Sequence, residues 1–302
     1  MTIVANIQVG NEVELIDQHI AYHLALGIDG FVIADMASVD GTSERLERYR
    51  GDRRFVIRKY EMSALVDATV LRTAEIGDWM LAASRDHFAP DWVVRLDADE
   101  FLYAARPLEA ALPAPDTQAS FQIARRNAIF QDGQPIPPPP SNPEALAAFS
   151  IVAKPVKTSP SEYESDDSLP LIMTEVAPKV LARPDRVAAY APGGHGTCDT
   201  LGQRQISPLT NGLLLVHFWF TTPGRFVRKA RFTVEAKALL NQDPKSRQAW
   251  QWSRWAGLAE GEEAESEAAI LQEYRRQFPG AAKLDALRQA GIVRRVGEYW
   301  DA

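Results

Sequence analysis

Two aspartates, Asp97 and Asp99, follow an apolar run at residues 92–94. In an extended segment alternate side chains point the same way, so the two carboxylates are expected to project together while Ala98 and Glu100 face elsewhere. Neighbouring carboxylates repel each other unless a cation compensates them, and Mg²⁺ or Mn²⁺ prefers such oxygen ligands. The spacing therefore predicts a divalent-metal site, although a solvated acidic turn has the same sequence.

A second group of polar residues follows the first two predicted strands. Asn11 and Glu12 come after the first strand, and Asp35 ends the second, where a carboxylate could accept hydrogen bonds from a base or a ribose. The hydroxyls and backbone N–H groups of Ser38 and Thr42 could cap the helix that follows. Taken alone, residues 38–42 are better explained as a simple turn with a helix cap.

These polar groups lie within an alternation of strand and helix signals. Strands are predicted at residues 2–9, 31–35, 55–60 and 92–96, and helices at 12–26, after 42 and at 66–88. This alternation is typical of α/β proteins with a mostly parallel sheet and helices on both faces. Ligands of such sheets bind at the carboxyl ends of the strands, so Asp35 and Asp97 are expected on one edge.

The rest of the chain changes character. Further strands are predicted at residues 120–130, in 171–177, in 179–184 and at 213–220, and helices at 226–240, 247–258, 262–278 and 281–290. The proline-rich stretch 135–143 and the polar stretch 157–170 are expected to be loops. The C-terminal region is therefore predicted to be helical.

Composition limits the functional classes. The chain has 302 residues, a net charge of −7 and one cysteine. An acidic surface argues against nucleic acid as the main partner, and a single cysteine excludes an intramolecular disulfide, which suits a reducing compartment. No apolar run reaches the roughly 20 residues that span a bilayer, and no signal peptide is recognisable, so we expect a cytoplasmic protein.

The ordered motifs resemble the family 2-like glycosyltransferases, in particular the bacterial branch related to the family 92 enzymes. The resemblance rests on Asn11-Glu12, Tyr22-His23, the segment LGIDGFVIAD ending at Asp35, S-x-DGT at 38–42, LDADEF at 96–101, K-x-L-x-RP at 179–184, Gly194-His195 and HFW with F-x-RKARF within 217–232. It implies a GT-A catalytic domain over residues 1–222, with a nucleotide-sugar half at about 1–103, an acceptor half at about 104–222, and a helical extension at 223–302.

The resemblance implies transfer of a sugar from a UDP- or GDP-sugar to the hydroxyl of a carbohydrate or glycolipid acceptor. It also implies inversion at the anomeric carbon, a role in surface polysaccharide biosynthesis, and peripheral association with a membrane. Mn²⁺ or Mg²⁺ would bind the diphosphate. The implied site residues are Asp97 and Asp99 for the metal, Asp35, Ser38 and Asp40 for the nucleoside, Asn11 and Glu12 for the pocket wall, and Arg72 for a phosphate. Two departures are Gly10, where the family often has lysine, and Met36-Ala37, where it often has polar residues.

Histidines and acids supply the remaining candidates. His195 and His217 could bind the metal or the diphosphate, although His217 in its apolar strand could equally be a packed core residue. The base that deprotonates the acceptor could be Asp132 or an acid within residues 162–167, and the spacing selects neither. Two alternative functions stay open, namely a nucleotidyltransferase and a nucleotide-sugar-binding protein with a degenerate site.

Overall fold

The structure, a computed structural model, describes residues 1–61, 69–114, 118–159, 169–191, 194–239, 255, 257–258 and 263–301. These residues form two compact units. The first comprises Met1–Arg125, Pro139–Ala148 and Ala177–His217, and the second comprises Arg126–Pro138, Phe149–Val176 and Phe218–Ala302. The second unit is therefore assembled from three stretches of sequence and contains more than the predicted C-terminal helices.

An eight-stranded sheet is the framework of the first unit. Its strands are β1 (Ile3–Val9), β2 (Gly30–Met36), β3 (Phe55–Tyr60), β4 (Trp92–Asp97), β5 (Glu100–Ala104), β6 (Ser120–Asn127), β8 (Lys179–Ala182) and β11 (Leu209–His217), and their order is β3-β2-β1-β4-β8-β6-β11-β5. Two short strands of the same unit, β9 (Ala189–Tyr190) and β10 (Thr197–Cys198), pair antiparallel with each other. Strands β1 to β4 are parallel to their neighbours within that group. Strand β8 is antiparallel to both β4 and β6, and β11 is antiparallel to β5.

Helices cover both faces of this sheet, as the sequence predicts. The helices of the first unit are α1 (Ile16–Leu26), α2 (Thr42–Glu47), α3 (Thr69–Phe88), α4 (Leu108–Ala111) and α5 (Pro143–Ala147). Alternate residues of each strand enter two separate cores: Ile3 and Ile7 of β1 pack with Ile16 and Ile20 of α1, whereas Val4 packs in the core that contains Met80 of α3. The period-two pattern of the strands thus produces an α/β layered domain.

Fewer helices and strands are described in the second unit than in the first. It contains β7 (Ser150–Val152), which pairs antiparallel with β12 (Val293–Arg295), and the helices α6 (Pro223–Leu239), α7 (Glu263–Arg276) and α8 (Ala281–Gln289). The predicted helix at 247–258 falls almost wholly outside the described residues. Across the described part of the chain, no helix combines the length and the apolar character needed to cross a membrane.

Two strand predictions need correction. The apolar residues Leu171–Met173 form a 3₁₀-helix after Pro170 rather than a strand. Strand β11 ends at His217, so residues 218–220 lie beyond it, and Phe218 belongs to the second unit. In both places an apolar run marks burial but does not specify the backbone conformation.

Candidate active site

The parallel strands bring two predicted acidic residues to one edge of the sheet. In the register of β1 with β2, Val9 is opposite Asp35, and in the register of β1 with β4, Gln8 is opposite Asp97. Both aspartates therefore stand at the carboxyl ends of adjacent parallel ladders. This confirms the prediction that they share the edge where α/β sheets bind ligands.

The antiparallel strands add basic and imidazole groups to the same edge. Strand β8 begins at Lys179, which is opposite Ile123 of β6, so Arg125 lies two residues further along β6. Strand β11 ends at His217, which is opposite Glu100 at the start of β5. Residues distant in sequence thus meet beside the end of β4.

The segment from Asp97 to Glu100 is a tight connection between β4 and β5 and not an extended strand. Ala98 and Asp99 form a turn, and a carboxylate oxygen of Glu100 accepts a hydrogen bond from the backbone N of Asp97 at 2.9 Å. The expectation that Glu100 faces away from the aspartates is therefore wrong. Alternation of side chains holds in extended backbone only, and the turn interrupts it.

Three cations compensate the carboxylates at this edge. Lys179 Nζ lies 2.6 Å from Asp97 Oδ2 and 3.9 Å from Glu100 Oε1. Arg125 forms an ion pair with Glu100 and lies 4.0 Å from Asp97, while Arg95 lies 3.9 Å from Asp97. Partial burial opposes ionisation of Asp97, whose side chain is 39% exposed, but Lys179 and Arg95 more than offset it, so the pKa of Asp97 falls well below its ordinary value. Asp97 is therefore a fixed negative charge with protein counter-ions.

Asp99 has a different partner. Its Oδ1 lies 3.5 Å from Nε2 of His217, and both side chains are buried, at 6% and 9% exposure. Two donor atoms that bind one ion at about 2.1 Å in adjacent positions are roughly 3 Å apart, so this pair is close to that geometry. Among the described residues no cluster of three or more His, Cys, Asp and Glu side chains has a metal-binding arrangement. A hard divalent cation would therefore complete its coordination with ligand oxygens and water, as Mg²⁺ commonly does.

The predicted aspartates thus have two different environments. Asp99 lies beside the imidazole of His217, whereas Asp97 is paired with Lys179. The contribution of Lys179 and Arg125 was not predicted from the sequence. Their basic side chains lie in strands β8 and β6, whose apolar neighbours dominate the local pattern.

His195 stands beside this charge network. Its Nδ1 lies 2.9 Å from the carbonyl oxygen of Pro178 and must carry the proton, because a carbonyl can only accept. Burial, with the nearby charge of Lys179, lowers the pKa of His195, which is therefore neutral near pH 7 with an acceptor lone pair at Nε2. The preceding Gly194 has φ +69, and a Cβ there would lie 2.9 Å from Cγ of Arg95. Only glycine allows this close approach without displacement of Arg95.

The residues predicted to contact the nucleoside, Asp35 and Asp40, accept hydrogen bonds that stabilise the loop after β2. Asp35 is 1% exposed and accepts hydrogen bonds from the backbone N of Ser38 and the hydroxyl of Ser43. Asp40 accepts from the backbone N of Thr42 at 3.0 Å and of Val13 at 3.1 Å. These carboxylates fix the loop after β2, and Asp40 also ties it to the loop after β1.

The two loops are joined further by Asn11 and Glu12. The backbone N of Asn11 donates to Ser38 Oγ at 3.0 Å, and that of Glu12 donates to Thr42 Oγ1 at 2.8 Å. Asn11 and Ala37 both have φ +55, a left-handed conformation that costs energy for a residue other than glycine. Such strain persists where surrounding contacts impose it, and it is common in ligand-binding loops.

The candidate bases and the candidate phosphate ligand remain to be located. Asp132 is exposed and belongs to the second unit, so it is not among the groups that the first unit brings together. The side chain of Arg72 and the acids at 162–167 lie outside the described residues. Two further histidines of the first unit, His19 and His23, were not predicted as site residues; both are buried and bonded to backbone groups, since His19 Nε2 donates to Glu100 O and His23 Nε2 accepts from Leu102 N.

No family model and no curated protein matches the chain. Solved structures that resemble it include S. aureus TarS, with a TM-score of 0.36 and 14% identity over 94% of this chain. TarS 1-349 in complex with UDP-GlcNAc has a TM-score of 0.36 and 12% identity, and covers 96% of this chain and 92% of that one. Glucosyl-3-phosphoglycerate synthase from Mycobacterium tuberculosis in complex with UDP has a TM-score of 0.31 and 22% identity, over 65% of this chain and 61% of that one. The chain spans 45% of the TarS chain. TM-scores this low do not support a functional assignment. An assignment therefore depends on the residues at the sheet edge.

Proposed function

We propose that the chain is a metal-dependent glycosyltransferase that moves a sugar from a nucleoside-diphosphate sugar to an acceptor hydroxyl. One observation carries the proposal: the Asp99–His217 pair lies beside an aspartate whose charge is held by Lys179, at the carboxyl edge of a parallel sheet. An ion ligand pair next to fixed charges of both signs suits a diphosphate attached to a polyhydroxylated sugar. The strained loops after β1 and β2 border the same edge.

In this proposal Asp99 and His217 hold Mn²⁺ or Mg²⁺. When bound, the ion neutralises the negative charge that develops on the departing nucleoside diphosphate. Lys179 and Arg125 hold the side chains of Asp97 and Glu100 in position, so Asp97 can accept hydrogen bonds from ribose or sugar hydroxyls.

The neutral imidazole of His195 provides a further hydrogen-bond acceptor for ribose or sugar hydroxyls.

In the transfer reaction a base removes the proton of the hydroxyl of the acceptor substrate, the new C–O bond forms at the anomeric carbon, and the glycosyl–phosphate bond breaks. We retain Asp132 as the candidate base and inversion as the stereochemical outcome. The same proposal includes a UDP- or GDP-sugar as donor and a carbohydrate or glycolipid as acceptor. It also includes a role in polysaccharide biosynthesis, peripheral association with a membrane and a cytoplasmic location.

The experiment that tests the function measures thermal unfolding and donor turnover with UDP- and GDP-sugars, with and without Mn²⁺. The wild type is expected to be stabilised by donor only when Mn²⁺ is present, because a ligand at free concentration L that binds only the folded state raises stability by RT ln(1 + L/Kd) and the proposed ion is needed for tight donor binding. Asp99→Asn and His217→Ala are expected to lose this stabilisation. The matched controls Asp86→Asn and His87→Ala change exposed residues on α3 and are expected to retain it.

The released product separates the alternatives. Release of nucleoside diphosphate supports the glycosyltransferase, whereas pyrophosphate would indicate a nucleotidyltransferase. Binding without turnover of any donor and acceptor would indicate a nucleotide-sugar-binding protein. Donor stabilisation that is the same in EDTA and in Mn²⁺ would contradict the role of Asp99 and His217.

A further inference from the structure

The second unit contains a cavity of about 710 Å³ whose lining residues are all different from those of the proposed transfer site. It is lined by residues of β7, the end of α8 and the C-terminal segment: Ser150, Arg288, Gln289, Gly291, Val293, Arg294, Arg295, Glu298 and Asp301. Its volume is within the range of sites that bind small organic ligands. The lining is rich in charged groups, unlike a packing defect, which would be apolar.

The arginines of this cavity are unevenly compensated. Arg288 lies 3.2 Å from Asp285, in the last two turns of α8. Neither Arg294 nor Arg295 forms an ion pair or a side-chain hydrogen bond with any residue that the structure describes. Guanidinium groups remain charged at any physiological pH, so the cavity keeps open positive charge.

A fourth cation approaches the same place. Gly291 has φ +63, and the position that a Cβ would take there lies 3.5 Å from Arg294 Nη2 and 3.9 Å from Lys154 Nζ. Two like charges therefore flank one glycine, and any side chain at this position would enter the space between them. Both cations lie within 4 Å of one point, and positive charges gathered around one point favour a bound anion.

Two carboxylates complete the lining. Glu298 and Asp301 are exposed and form no ion pair with the cavity arginines among the described residues. A carboxylate accepts hydrogen bonds from hydroxyl groups, whereas the planar guanidinium binds carboxylate or phosphate through two parallel bonds. A ligand that uses both kinds of group carries hydroxyls and a negative charge together.

We propose that this cavity binds an anionic saccharide, that is, a sugar with a phosphate or carboxylate group. The cavity lies within the second unit, and the proposal does not depend on sugar transfer at the sheet edge of the first unit. Glu298 and Asp301 would accept hydrogen bonds from hydroxyls, and Arg294 and Arg295 would bind the anion.

The test is isothermal titration calorimetry on the full chain, in EDTA and without nucleotide, so that the result is independent of the transfer reaction. The probes are a trigalacturonate, glucose 6-phosphate, maltotriose as a neutral saccharide, inorganic phosphate, and phosphatidylglycerol vesicles. The test variant is Arg294→Gln with Arg295→Gln, and the matched control is Arg53→Gln with Lys59→Gln, which removes two exposed charges of the first unit. Circular dichroism and thermal unfolding verify that both variants are folded.

The proposal expects saturable binding of trigalacturonate or glucose 6-phosphate to the wild type and the control. Loss of the two charge-assisted contacts should weaken it by about tenfold or more in the test variant. Absence of saturable binding by either anionic saccharide, or equal binding by the test variant, would overturn it. So would equal affinity for maltotriose or for inorganic phosphate, and so would binding to vesicles alone, which would assign the cavity to a lipid headgroup.

Discussion

Replacement of Lys179 by methionine tests whether a protein cation fixes Asp97 in the site. Lys179 Nζ is 2.6 Å from Asp97 Oδ2, and the lysine side chain is 3% exposed while that of Asp97 is 39% exposed. Methionine keeps most of the volume of the lysine side chain and removes its charge. We expect Lys179→Met to lower the free energy of unfolding at pH 7, since Asp97 and Glu100 then lose their shared counter-ion.

The magnitude follows from the geometry. Two unit charges at 2.6 Å interact by roughly 6 kcal/mol when the effective dielectric constant is about 20. Exposure of Asp97 screens much of this, and Arg95 and Arg125 remain at 3.9 and 4.0 Å as weaker counter-ions. We therefore expect a coupling energy between Lys179 and Asp97 of about 2 kcal/mol, below the ~3–5 kcal/mol seen when a fully buried pair is broken.

The assay is a double-mutant cycle in urea with Lys179→Met, Asp97→Asn and the combined variant, with exposed Lys59→Met as the control. Because the pKa of Asp97 is depressed in the folded state, the stability it contributes is present above pH 3.8 and is lost as the pH falls further. The difference between the wild type and Lys179→Met should therefore stay constant down to that pH and then shrink. A coupling energy below about 0.5 kcal/mol with unchanged m-values would refute the reasoning, since that is the range of an exposed pair.

Three further outcomes are expected. Ala37→Gly should raise the free energy of unfolding by up to about 1 kcal/mol, because φ +55 is strained for alanine; a lower urea midpoint would show that its methyl group contributes more. Burial lowers the pKa of His19 from 6.5 to about 4, so stability should fall by about 3 kcal/mol between those pH values as the unfolded state binds a proton, and His19→Gln should flatten a pH series of unfolding curves. Asp40→Ala removes the acceptor for the backbone N of Val13, which should cost about 1–2 kcal/mol and speed hydrogen exchange at that amide; unchanged exchange would mean that other contacts hold the loop.

The sequence predicts the parallel half of the sheet well. Strand β3 has both of its predicted ends, and β1, β2 and β4 differ from prediction by one residue at each altered end. Strands β1, β2 and β4 are buried almost throughout, so their apolar runs are distinct from the polar turns around them, whereas β3 is a partly exposed edge strand. Since parallel strands in βαβ units point the same way, the position of Asp35 and Asp97 on one edge follows from the order of elements alone.

Local sequence patterns do not predict the contacts between residues that are far apart in the chain. Lys179 and Asp97 are 82 positions apart, and they meet because β8 enters the sheet antiparallel to β4. The position of β5 is also set by a distant contact: β5 pairs with β11 and not with β4, and the chain turns at Ala98 and Asp99 between β4 and β5, so an alternation rule for extended backbone fails there.

One signal for the cation is nevertheless present in the sequence. Lys179 begins the short apolar strand β8, at a position where full burial is expected, and the structure leaves it 2% exposed. Lysine is almost never fully buried unless it is paired, so a lysine in such a strand indicates a carboxylate partner at the same edge. The acidic cluster after β4 is the concentrated negative charge nearest to that edge. A lysine beside a predicted metal-binding aspartate therefore argues that protein charge, as well as an ion, determines which carboxylate faces the ligand.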